Sequence, residues 1–410
     1  MEIVMQAAIL IGGKGTRLGD AVAETPKPLL EVQGRPFVEH IMLNLRRFGF
    51  NEFLLLAGYR ADVVRDCYGP DSEFVATLGA SVKVIVEPEP LGTAGALSVA
   101  ADDLQETFLL INGDSIFDFN YLDLVACGQP SDDDNWLGRV ALLPVENADR
   151  YGFVDLQDGR IRAFREKPSS PQSGLINSGV YWLKSDILDR IDDLPCSLEQ
   201  AVFPALAEAG LLVGRPYQGY FIDIGIPQDL QRARLELSER LQKPAAFLDR
   251  DGTLNHDDGY THKVEGFRWM DGAVETVKLL NDRGFLVFIV TNQAGIARGF
   301  YGPDDVEALH RWMQEQLHTH GAHFDDVRYC PHHPEGSVPA LAVQCECRKP
   351  ATGMLTSLIE RWQPDLTHSF MLGDADKDVE AATRVGIEGA KVAAGDLLDR
   401  ATEMVKKFEG

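Results

Sequence analysis

The chain has 410 residues, of which 45% are hydrophobic and 25% are charged, a composition typical of globular rather than disordered proteins. Its length exceeds the roughly 100–200 residues of one ordinary domain, so we expect two domains. The 63 acidic and 39 basic residues give a net charge of −24. This sign argues against nucleic acid and membranes as partners, because anionic surfaces are bound through clustered Lys and Arg.

Hydropathy and the first residues of the chain bear on its location. No apolar run approaches the ~20 residues needed to span a bilayer. Residues 1–5 lack the basic and then apolar pattern of a secretory signal. Six cysteines in so long a chain are too few for a disulfide scaffold. We therefore expect a cytoplasmic protein.

Apolar segments with strand character alternate with helical patterns along the whole chain, which predicts α/β layers around mostly parallel sheets. A helix is predicted over residues 36–48, because Pro36 suits a first turn and apolar residues follow at helical spacing. The buried strands predicted in the first half are residues 6–11, 53–57, 82–86 and 108–111.

The pattern changes near residue 241. Residues 229–241 have the pattern of a charged amphipathic helix, which Gln242-Lys243-Pro244 interrupts. A new apolar strand follows at residues 245–248. We therefore predict two domains, residues 1–241 and residues 242–410.

A glycine-rich turn, Gly12-Gly13-Lys14-Gly15-Thr16-Arg17, follows the first predicted strand. Such a turn lets backbone amides approach a phosphate, and its two cations add positive potential. It is not a P-loop, which has Gly-Lys-Ser/Thr after a four-residue gap. Taken alone, the turn is equally compatible with glycines that are present for steric reasons.

Other residues of the first half strengthen the case for a nucleotide site. Lys27 lies between two prolines, and Gly92-Thr93-Ala94-Gly95 begins a predicted helix whose small residues allow a base to approach closely. Asp114 follows a buried strand, at the sheet edge where open α/β sheets bind ligands. Asp223 lies in an apolar segment, where a carboxylate is costly unless paired or metal-bound. Two such carboxylates suit a Mg²⁺ that bridges nucleotide phosphates.

In this order, and with Glu166-Lys167-Pro168 and Asn177-Ser178-Gly179, the motifs resemble the sugar-1-phosphate nucleotidyltransferase family over residues 5–235. The resemblance implies a Rossmann-like domain with a mixed, mostly parallel sheet. It also implies attack by a sugar phosphate oxygen on the α-phosphate of a nucleoside triphosphate, with release of pyrophosphate. By the same resemblance, Lys27 and Arg17 are catalytic and Asp114 and Asp223 ligate Mg²⁺. The implied substrate- and nucleotide-binding residues are Gly12, Gly13, Gly15, Thr16, Gly92, Thr93, Glu166, Lys167 and Asn177.

The second half places polar residues at the ends of several predicted strands. Asp249-Arg250-Asp251 directly follows the strand at 245–248, and carboxylates this close resist joint ionisation unless a cation is present. An acid or metal role is therefore favoured over a solvated turn. The further motifs are Thr291-Asn292-Gln293, Arg348-Lys349-Pro350 and Gly373-Asp374.

This ordered set resembles the haloacid dehalogenase superfamily over residues 245–395. The resemblance implies a doubly wound parallel sheet and a phosphatase in which Asp249 attacks phosphorus to form an aspartyl phosphate. Asp251 would protonate the leaving group and then activate water. Thr291 and Lys349 would hold the phosphoryl oxygens. Mg²⁺ would be ligated by Asp249, the backbone carbonyl of Asp251, and Asp374.

Four further residues suggest zinc within a loop at residues 330–347. Cys330-Pro331-His332-His333 precedes Cys345-Glu346-Cys347, and three thiolates with one imidazole suit a tetrahedral structural Zn²⁺. Spacing does not decide between the two histidines. The family pattern favours His332 beside Cys330, Cys345 and Cys347. The alternative is that these cysteines are buried free thiols.

Together with Gly259-Tyr260-Thr261-His262, this pattern is similar to the heptose-bisphosphate phosphatases, and the histidinol phosphatases are the nearest alternative. Ala294 and Ala375 depart from the family pattern, where serine and lysine are usual. The resemblance assigns substrate binding to a set of polar residues: Tyr260, Thr291, Asn292, Gln293, Arg348 and Lys349.

Two activities on one chain usually serve one pathway. The expected enzyme removes the 7-phosphate of heptose 1,7-bisphosphate and transfers GMP from GTP to heptose 1-phosphate, giving GDP-heptose. Its expected partners are these small molecules, and the sequence leaves a homo-oligomer open. One alternative is a mannose- or glucose-1-phosphate nucleotidyltransferase fused to another small-molecule phosphatase. Another is a first half that senses a ligand without catalysis, although its predicted site residues are all present.

Overall fold

The computed structural model describes residues 5–13, 17–19, 24–126, 135–146, 152–165 and 172–408. The chain divides into two compact units, Met1–Arg240 and Leu241–Gly410. The sequence places this boundary one residue later, after Leu241. Within the described ranges, no helix is long and apolar enough to cross a membrane.

The first unit is built on a mixed β-sheet. Its strands in chain order are β1 (Met5–Leu10), β2 (Glu31–Val32), β3 (Arg35–Pro36), β4 (Phe50–Ala57), β5 (Ser81–Val86), β6 (Thr107–Asn112), β7 (Ser115–Phe117), β8 (Gly138–Val145), β9 (Phe153–Gln157), β10 (Arg160–Arg165), β11 (Gly174–Lys184), β12 (Leu212–Pro216) and β13 (Phe221–Asp223). Its helices are α1 (Phe37–Arg47), α2 (Ala61–Tyr68), α3 (Glu73–Leu78), α4 (Gly92–Val99), α5 (Tyr121–Ala126), α6 (Phe203–Glu208) and α7 (Pro227–Leu241).

The main sheet of this unit has the strand order β5-β4-β1-β6-β11-β8-β12-β10-β9. The first four strands in that order are parallel, whereas β11 runs antiparallel to both β6 and β8. The mixed α/β architecture predicted from the sequence is therefore confirmed. The parallel strands end at one edge, where the chain continues into Ile11, Gly58, Glu87 and Gly113.

A short antiparallel ribbon, β7 with β13, lies beside that edge. Its register pairs Ser115 with Asp223, and the amide of Ile224 donates a hydrogen bond to the carbonyl of Asp114 over 3.0 Å. The ribbon therefore places two carboxylates that are far apart in sequence next to each other.

The second unit has one five-stranded sheet of order β16-β15-β14-β17-β18, and each of its pairings is parallel. The strands are β14 (Pro244–Leu248), β15 (Leu286–Asn292), β16 (Asp326–Cys330), β17 (Asp365–Gly373) and β18 (Glu388–Lys391). The helices are α8 (Ala273–Asp282), α9 (Ala294–Ala297), α10 (Pro303–Thr319), α11 (Gly353–Trp362), α12 (Asp376–Arg384) and α13 (Leu397–Phe408).

Alternate residues of the central strand β14 pack into two different cores. Ala246 and Leu248 belong to a core formed with α8, α10 and α13, whereas Ala245 and Phe247 belong to a core formed with α11 and α12. A sheet covered by helices on both faces is doubly wound, as the sequence predicts. The two cores leave the carboxyl edge of the sheet free to carry polar groups.

Candidate active sites

Lys27 connects the two carboxylates of the first unit. Its Nζ lies 2.5 Å from Asp114 Oδ2 and 3.2 Å from Asp223 Oδ1, and its side chain is only 8% exposed. A buried ammonium needs such partners, because an unpaired charge is costly away from water. The structure thus brings together three residues that the sequence selects individually.

A cavity of about 620 Å³ opens over the carboxyl ends of the parallel strands in this unit. Its walls include Gly12 and Gly13 of the first turn, the start of α4 and the charged pair Lys27 and Asp114. The position agrees with the rule that open α/β sheets bind ligands beyond these strand ends. The predicted residues that line the cavity are Gly12, Gly13, Lys27, Gly92, Thr93 and Asp114.

Two of these lining residues also hold the start of α4 in place. Gly92 has a φ of +80°, and a Cβ there would come within 2.3 Å of the carbonyl oxygen of Cys196. The Thr93 hydroxyl donates to Glu199 over 2.8 Å and accepts from the amide of Leu198 over 2.8 Å. The geometry gives these two residues a packing role beside any contact with a nucleotide.

The remaining predicted residues of this unit are less closely tied to the cavity. Asn177 donates from Nδ2 to the hydroxyl of Tyr181 over 2.8 Å and is absent from the cavity lining that the structure describes. Arg17 is exposed in a short helical turn. Gly15, Thr16, Glu166 and Lys167 lie outside the described residues.

The candidate site of the second unit contains a buried lysine that lies between two aspartates. Lys349 Nζ lies 2.9 Å from Asp249 Oδ1 and 2.7 Å from Asp378 Oδ1, and it donates to the carbonyl of Val290 over 2.6 Å. Asn292 orients this lysine through a reciprocal pair of hydrogen bonds with its backbone. Burial raises the pKa of Asp249 to about 6, although the nearby Lys349 opposes that rise.

Asp251 is held by a different set of donors. Arg250 is fully buried and donates from Nη2 to both carboxylate oxygens of Asp251, over 2.9 and 3.0 Å. Gln293 donates from Nε2 to Asp251 Oδ2 over 2.7 Å, and the hydroxyl of Thr291 lies 3.5 Å from the same oxygen. The carboxylate is therefore held by Arg250 of its own motif and by Gln293, which directly follows β15.

A set of carboxylate oxygens at this site could hold a metal ion. Ligand atoms of Asp249, Asp374 and Asp378 lie within 4.8 Å of one another. Oδ1 of Asp374 is buried without a hydrogen-bond partner among the described residues. A Cβ on Gly252, whose φ is +81°, would come within 2.5 Å of Asp374 Oδ2. An unsatisfied buried carboxylate oxygen fits a cation. The carboxylate of Asp251 faces Arg250 instead, which leaves its backbone carbonyl as the predicted ligand.

The four predicted zinc ligands converge at the end of β16. Cys347 Sγ lies 3.2 Å from Cys330 Sγ and 3.3 Å from Cys345 Sγ, and His332 Nδ1 lies 3.3 Å from Cys347 Sγ. His333 faces elsewhere, because its Nδ1 accepts a hydrogen bond from the amide of Glu335. The cysteines are free. Three sulfurs and one ring nitrogen at this spacing could hold one metal ion.

Arg348 and Tyr260 are two further predicted substrate residues of the second unit. Arg348 follows the third cysteine and donates to the carbonyl of His332 over 3.3 Å. Tyr260 is 42% exposed and contacts the ring of Phe300, with centroids 4.8 Å apart.

Comparison with known proteins identifies both units. A nucleotidyl transferase family model matches residues 6–240, and a HAD-hydrolase-like model matches residues 346–407. A D-glycero-β-D-manno-heptose-1,7-bisphosphate 7-phosphatase from Rhodopseudomonas palustris is 51% identical over 156 residues, which are 38% of this chain and 87% of the relative. The chain belongs to both families. It is a bifunctional enzyme with a nucleotidyltransferase unit followed by a phosphatase unit.

Two further relatives extend these likenesses. The phosphatase of the same name from Escherichia coli K12 is 43% identical over 149 residues, 36% of this chain and 78% of the relative. HddC from Yersinia pseudotuberculosis, solved in complex with GMP-PN, is 31% identical with a TM-score of 0.50. That likeness covers 57% of this chain and all of the HddC chain.

The nucleotidyltransferase unit has a further cavity residue, Glu87, that sequence reasoning missed. Its Oε2 accepts a hydrogen bond from the amide of Leu91 over 3.2 Å, and its Oε1 lies against Gly12 and Gly58. Burial raises the pKa of this carboxyl group. A signal for it exists, since Glu87 directly follows β5 at the same sheet edge as Asp114.

The phosphatase unit likewise has a residue outside the predicted set, Asp378. Its carboxylate is fully buried and pairs with Lys349. Asp378 lies four residues after Asp374, in the first turn of α12, and this spacing is visible in the sequence. The pairing across the sheet edge needed the tertiary structure.

Proposed function

We propose that this bifunctional enzyme catalyses two steps of nucleotide-heptose synthesis. The phosphatase unit hydrolyses the 7-phosphate of D-glycero-D-manno-heptose 1,7-bisphosphate. The nucleotidyltransferase unit transfers GMP from GTP to heptose 1-phosphate and releases pyrophosphate. One observation carries this proposal: a single chain resembles both a heptose-1,7-bisphosphate 7-phosphatase and the HddC protein solved with GMP-PN.

In the phosphatase reaction, an oxygen of Asp249 attacks phosphorus and the bond to the sugar oxygen breaks. Asp251 donates a proton to the departing alkoxide, and then removes a proton from the water that hydrolyses the aspartyl phosphate. Lys349 and the hydroxyl of Thr291 hold the phosphoryl oxygens. This assignment is supported by the position of Lys349 Nζ, 2.9 Å from the attacking carboxylate.

The donor sets support two different metals in the phosphatase unit. Asp249, Asp374 and the backbone carbonyl of Asp251 are hard oxygen ligands, and Mg²⁺ bound there supplies charge neutralisation for the phosphoryl group. Cys330, His332, Cys345 and Cys347 would hold a structural Zn²⁺. Reduced thiols and the use of GTP both suit the cytoplasm.

In the nucleotidyltransferase unit, Asp114 and Asp223 would hold Mg²⁺, and Lys27 would face the reacting phosphates. The sugar phosphate oxygen forms a bond to the α-phosphorus while the bond to pyrophosphate breaks. This reaction needs no covalent intermediate, because positioning and charge neutralisation are sufficient. Arg17 and the glycine turn would bind the triphosphate, and Lys167 would bind the sugar phosphate.

Glu87 favours guanine over the other bases. Guanine offers two adjacent donors, N1–H and the N2 amino group, and a carboxylate can accept from both. One of its oxygens accepts a hydrogen bond from the amide of Leu91, and a carboxylate oxygen can accept more than one such bond. A Cβ on Gly12 would come within 2.8 Å of Oε1, so glycine at this position lets the carboxylate lie against the backbone in the cavity wall.

The proposal is tested by product analysis. The purified enzyme is given heptose 1,7-bisphosphate with each of the four nucleoside triphosphates, and the products are identified by mass spectrometry. We expect phosphate from every mixture, and pyrophosphate with GDP-heptose from the GTP mixture. Release of neither phosphate nor pyrophosphate would overturn the proposal.

A Glu87 variant tests whether this residue recognises the guanine base. Glu87→Gln keeps the size of the side chain but loses the charge and one acceptor. We expect the preference for GTP over the other triphosphates, as a ratio of kcat/KM values, to fall by about tenfold, because hydrogen bonds to a charged partner are the stronger ones. An unchanged ratio would remove Glu87 from base recognition.

A further inference from the structure

Two aromatic side chains stand exposed beside the phosphatase site. Tyr260 is 42% exposed and Phe300 is 57% exposed. Their rings meet edge to face, with centroids 4.8 Å apart and an interplanar angle of 79°. Small-molecule sites are lined mainly by apolar and aromatic side chains with a few placed polar groups.

The loop that carries Tyr260 is fixed to the catalytic motif. Arg250 donates from Nη2 to the carbonyl of Thr261 over 2.6 Å, in addition to its bonds with Asp251. Tyr260 itself has a φ of +60°, a conformation that bulky residues rarely adopt. Backbone strain of this kind is found mostly at ligand sites, where the surrounding structure enforces it.

A second layer of contacts joins the aromatic pair to Asp251. His262 stacks on Tyr301, with centroids 4.4 Å apart and planes 11° from parallel. The hydroxyl of Tyr301 donates to Gln293 Oε1 over 2.8 Å. Gln293 in turn donates to Asp251 over 2.7 Å. The exposed rings are thus held in a defined position relative to the reacting carboxylates.

We propose that Tyr260 and Phe300 form a platform against which the ring of a phosphorylated sugar packs while its distal phosphate reaches Asp249. The C–H face of a sugar ring is apolar enough to cover an aromatic ring, and its hydroxyl and phosphate groups stay in water or reach polar side chains. The inference rests on the proposed function, because it takes a sugar bisphosphate as the substrate. It adds Phe300 to the residues that select this substrate.

A cyclic sugar is a better occupant than a protein surface. The platform consists of two rings only, and its rigid connections lead to Gln293 and Asp251 rather than to further exposed apolar residues. The other exposed large apolar residues of this unit, Val264 and Val343, are much smaller side chains. The chemistry of the neighbouring groups is that of phosphate transfer.

The experiment compares two substrates in the full-length enzyme. Heptose 1,7-bisphosphate has a ring, whereas acetyl phosphate offers only the phosphoryl group. For Phe300→Ala, we expect the ratio of kcat/KM values for the two substrates to fall about five- to tenfold, the size of an aromatic contact. The change should appear mainly in KM for the bisphosphate.

Two further variants distinguish the contribution of the aromatic ring from that of side-chain size. Phe300→Leu keeps an apolar side chain without an aromatic face and should resemble Phe300→Ala. Phe300→Tyr should restore the ratio. A ratio that stays unchanged in Phe300→Ala, or KM values that rise equally for both substrates, would overturn the platform.

Failure of the proposed function would look different. The wild-type enzyme would then hydrolyse acetyl phosphate but not the heptose bisphosphate. In that case the same three variants are compared on the sugar phosphate that the wild type does hydrolyse. A loss of discrimination against acetyl phosphate supports the platform with a different sugar, and no loss rejects it.

Discussion

His310 contacts Arg250 at a guanidinium nitrogen other than the one that binds Asp251. Arg250 donates from Nη1 to His310 Nε2 over 3.2 Å, so this ring nitrogen must be the unprotonated acceptor. The pKa of His310 is lowered to about 3, mainly by burial and to a smaller extent by the positive charge of Arg250. The imidazole is therefore neutral in the folded protein over the ordinary pH range.

This neutral histidine predicts a loss of stability in mild acid. The unfolded chain protonates His310 near pH 6.5, whereas the folded protein resists protonation down to about pH 3. The resulting loss in the free energy of unfolding is nearly absent above pH 6.5. It grows as the pH falls below that value and reaches about 2 kcal/mol at pH 5. In His310→Gln, the free energy of unfolding should fall by about 2 kcal/mol less between pH 7 and pH 5 than in the wild type.

Urea denaturation at the two pH values measures this difference. Glutamine keeps an acceptor for Arg250 but has no proton-binding site, so it isolates the titration from the hydrogen bond. His320→Gln is a matched control, because His320 is exposed on the same helix region. Equal pH dependence in wild type and His310→Gln would contradict the prediction.

Some residues of the candidate sites can be predicted from the local sequence, and others cannot. Asp114 and Asp249 each follow a buried apolar strand, so their chemistry and their place at a sheet edge follow from the local sequence. Glu87 has the same placement but no distinctive neighbours. Arg250 is part of the Asp249-Arg250-Asp251 motif, yet nothing in the local sequence shows that it is buried and holds Asp251. Such pairings depend on tertiary contacts.

At the scale of elements, the segment between β16 and α11 is the least regular part of the phosphatase unit. The described residues 331–352 contain neither strand nor helix. Cys345 and Cys347 pack against the core that includes Cys330 and α11. None of the apolar residues of this loop is fully buried, so the loop is expected to depend on a bound metal for order.

Removal of zinc should therefore destabilise this unit. We expect about one zinc per purified chain by elemental analysis, and a melting temperature of the phosphatase unit that falls by at least about 5 °C after chelation. Zinc should restore it, whereas Mg²⁺ should not. His332→Ala should lose the zinc, and the neighbouring His333→Ala should retain it. Zinc-free protein with unchanged melting would refute this assignment.

Elements also differ in how well a sequence predicts them. The apolar runs of β1, β4 and β6 and the amphipathic α1 are predicted because each satisfies its own periodicity. The ribbon of β7 and β13 has three residues in each strand, too few for any periodic signal. That ribbon nevertheless brings Asp223 to Asp114, so part of the site depends on pairing over about a hundred residues.

At the scale of the whole molecule, a chain of net charge −24 handles anionic substrates by local rather than overall charge. Each unit buries one lysine between two aspartates: Lys27 in the first and Lys349 in the second. Each cluster has one positive and two negative charges, so a Mg²⁺ bound to its carboxylates would be needed for the local potential to favour phosphate.

The two clusters predict that the activities can be removed separately. Asp249→Asn keeps the size of the side chain but removes the proposed nucleophile, and should lower phosphatase activity at least about 1,000-fold. In a mixture of heptose 1,7-bisphosphate and GTP, this variant should release neither phosphate nor pyrophosphate, because the first step supplies the substrate of the second. Added heptose 1-phosphate should restore pyrophosphate release. The reciprocal variant, Lys27→Met, should release phosphate without pyrophosphate. If folded Asp249→Asn also failed with added heptose 1-phosphate, the two sites would not be independent, and the sequential scheme would be wrong.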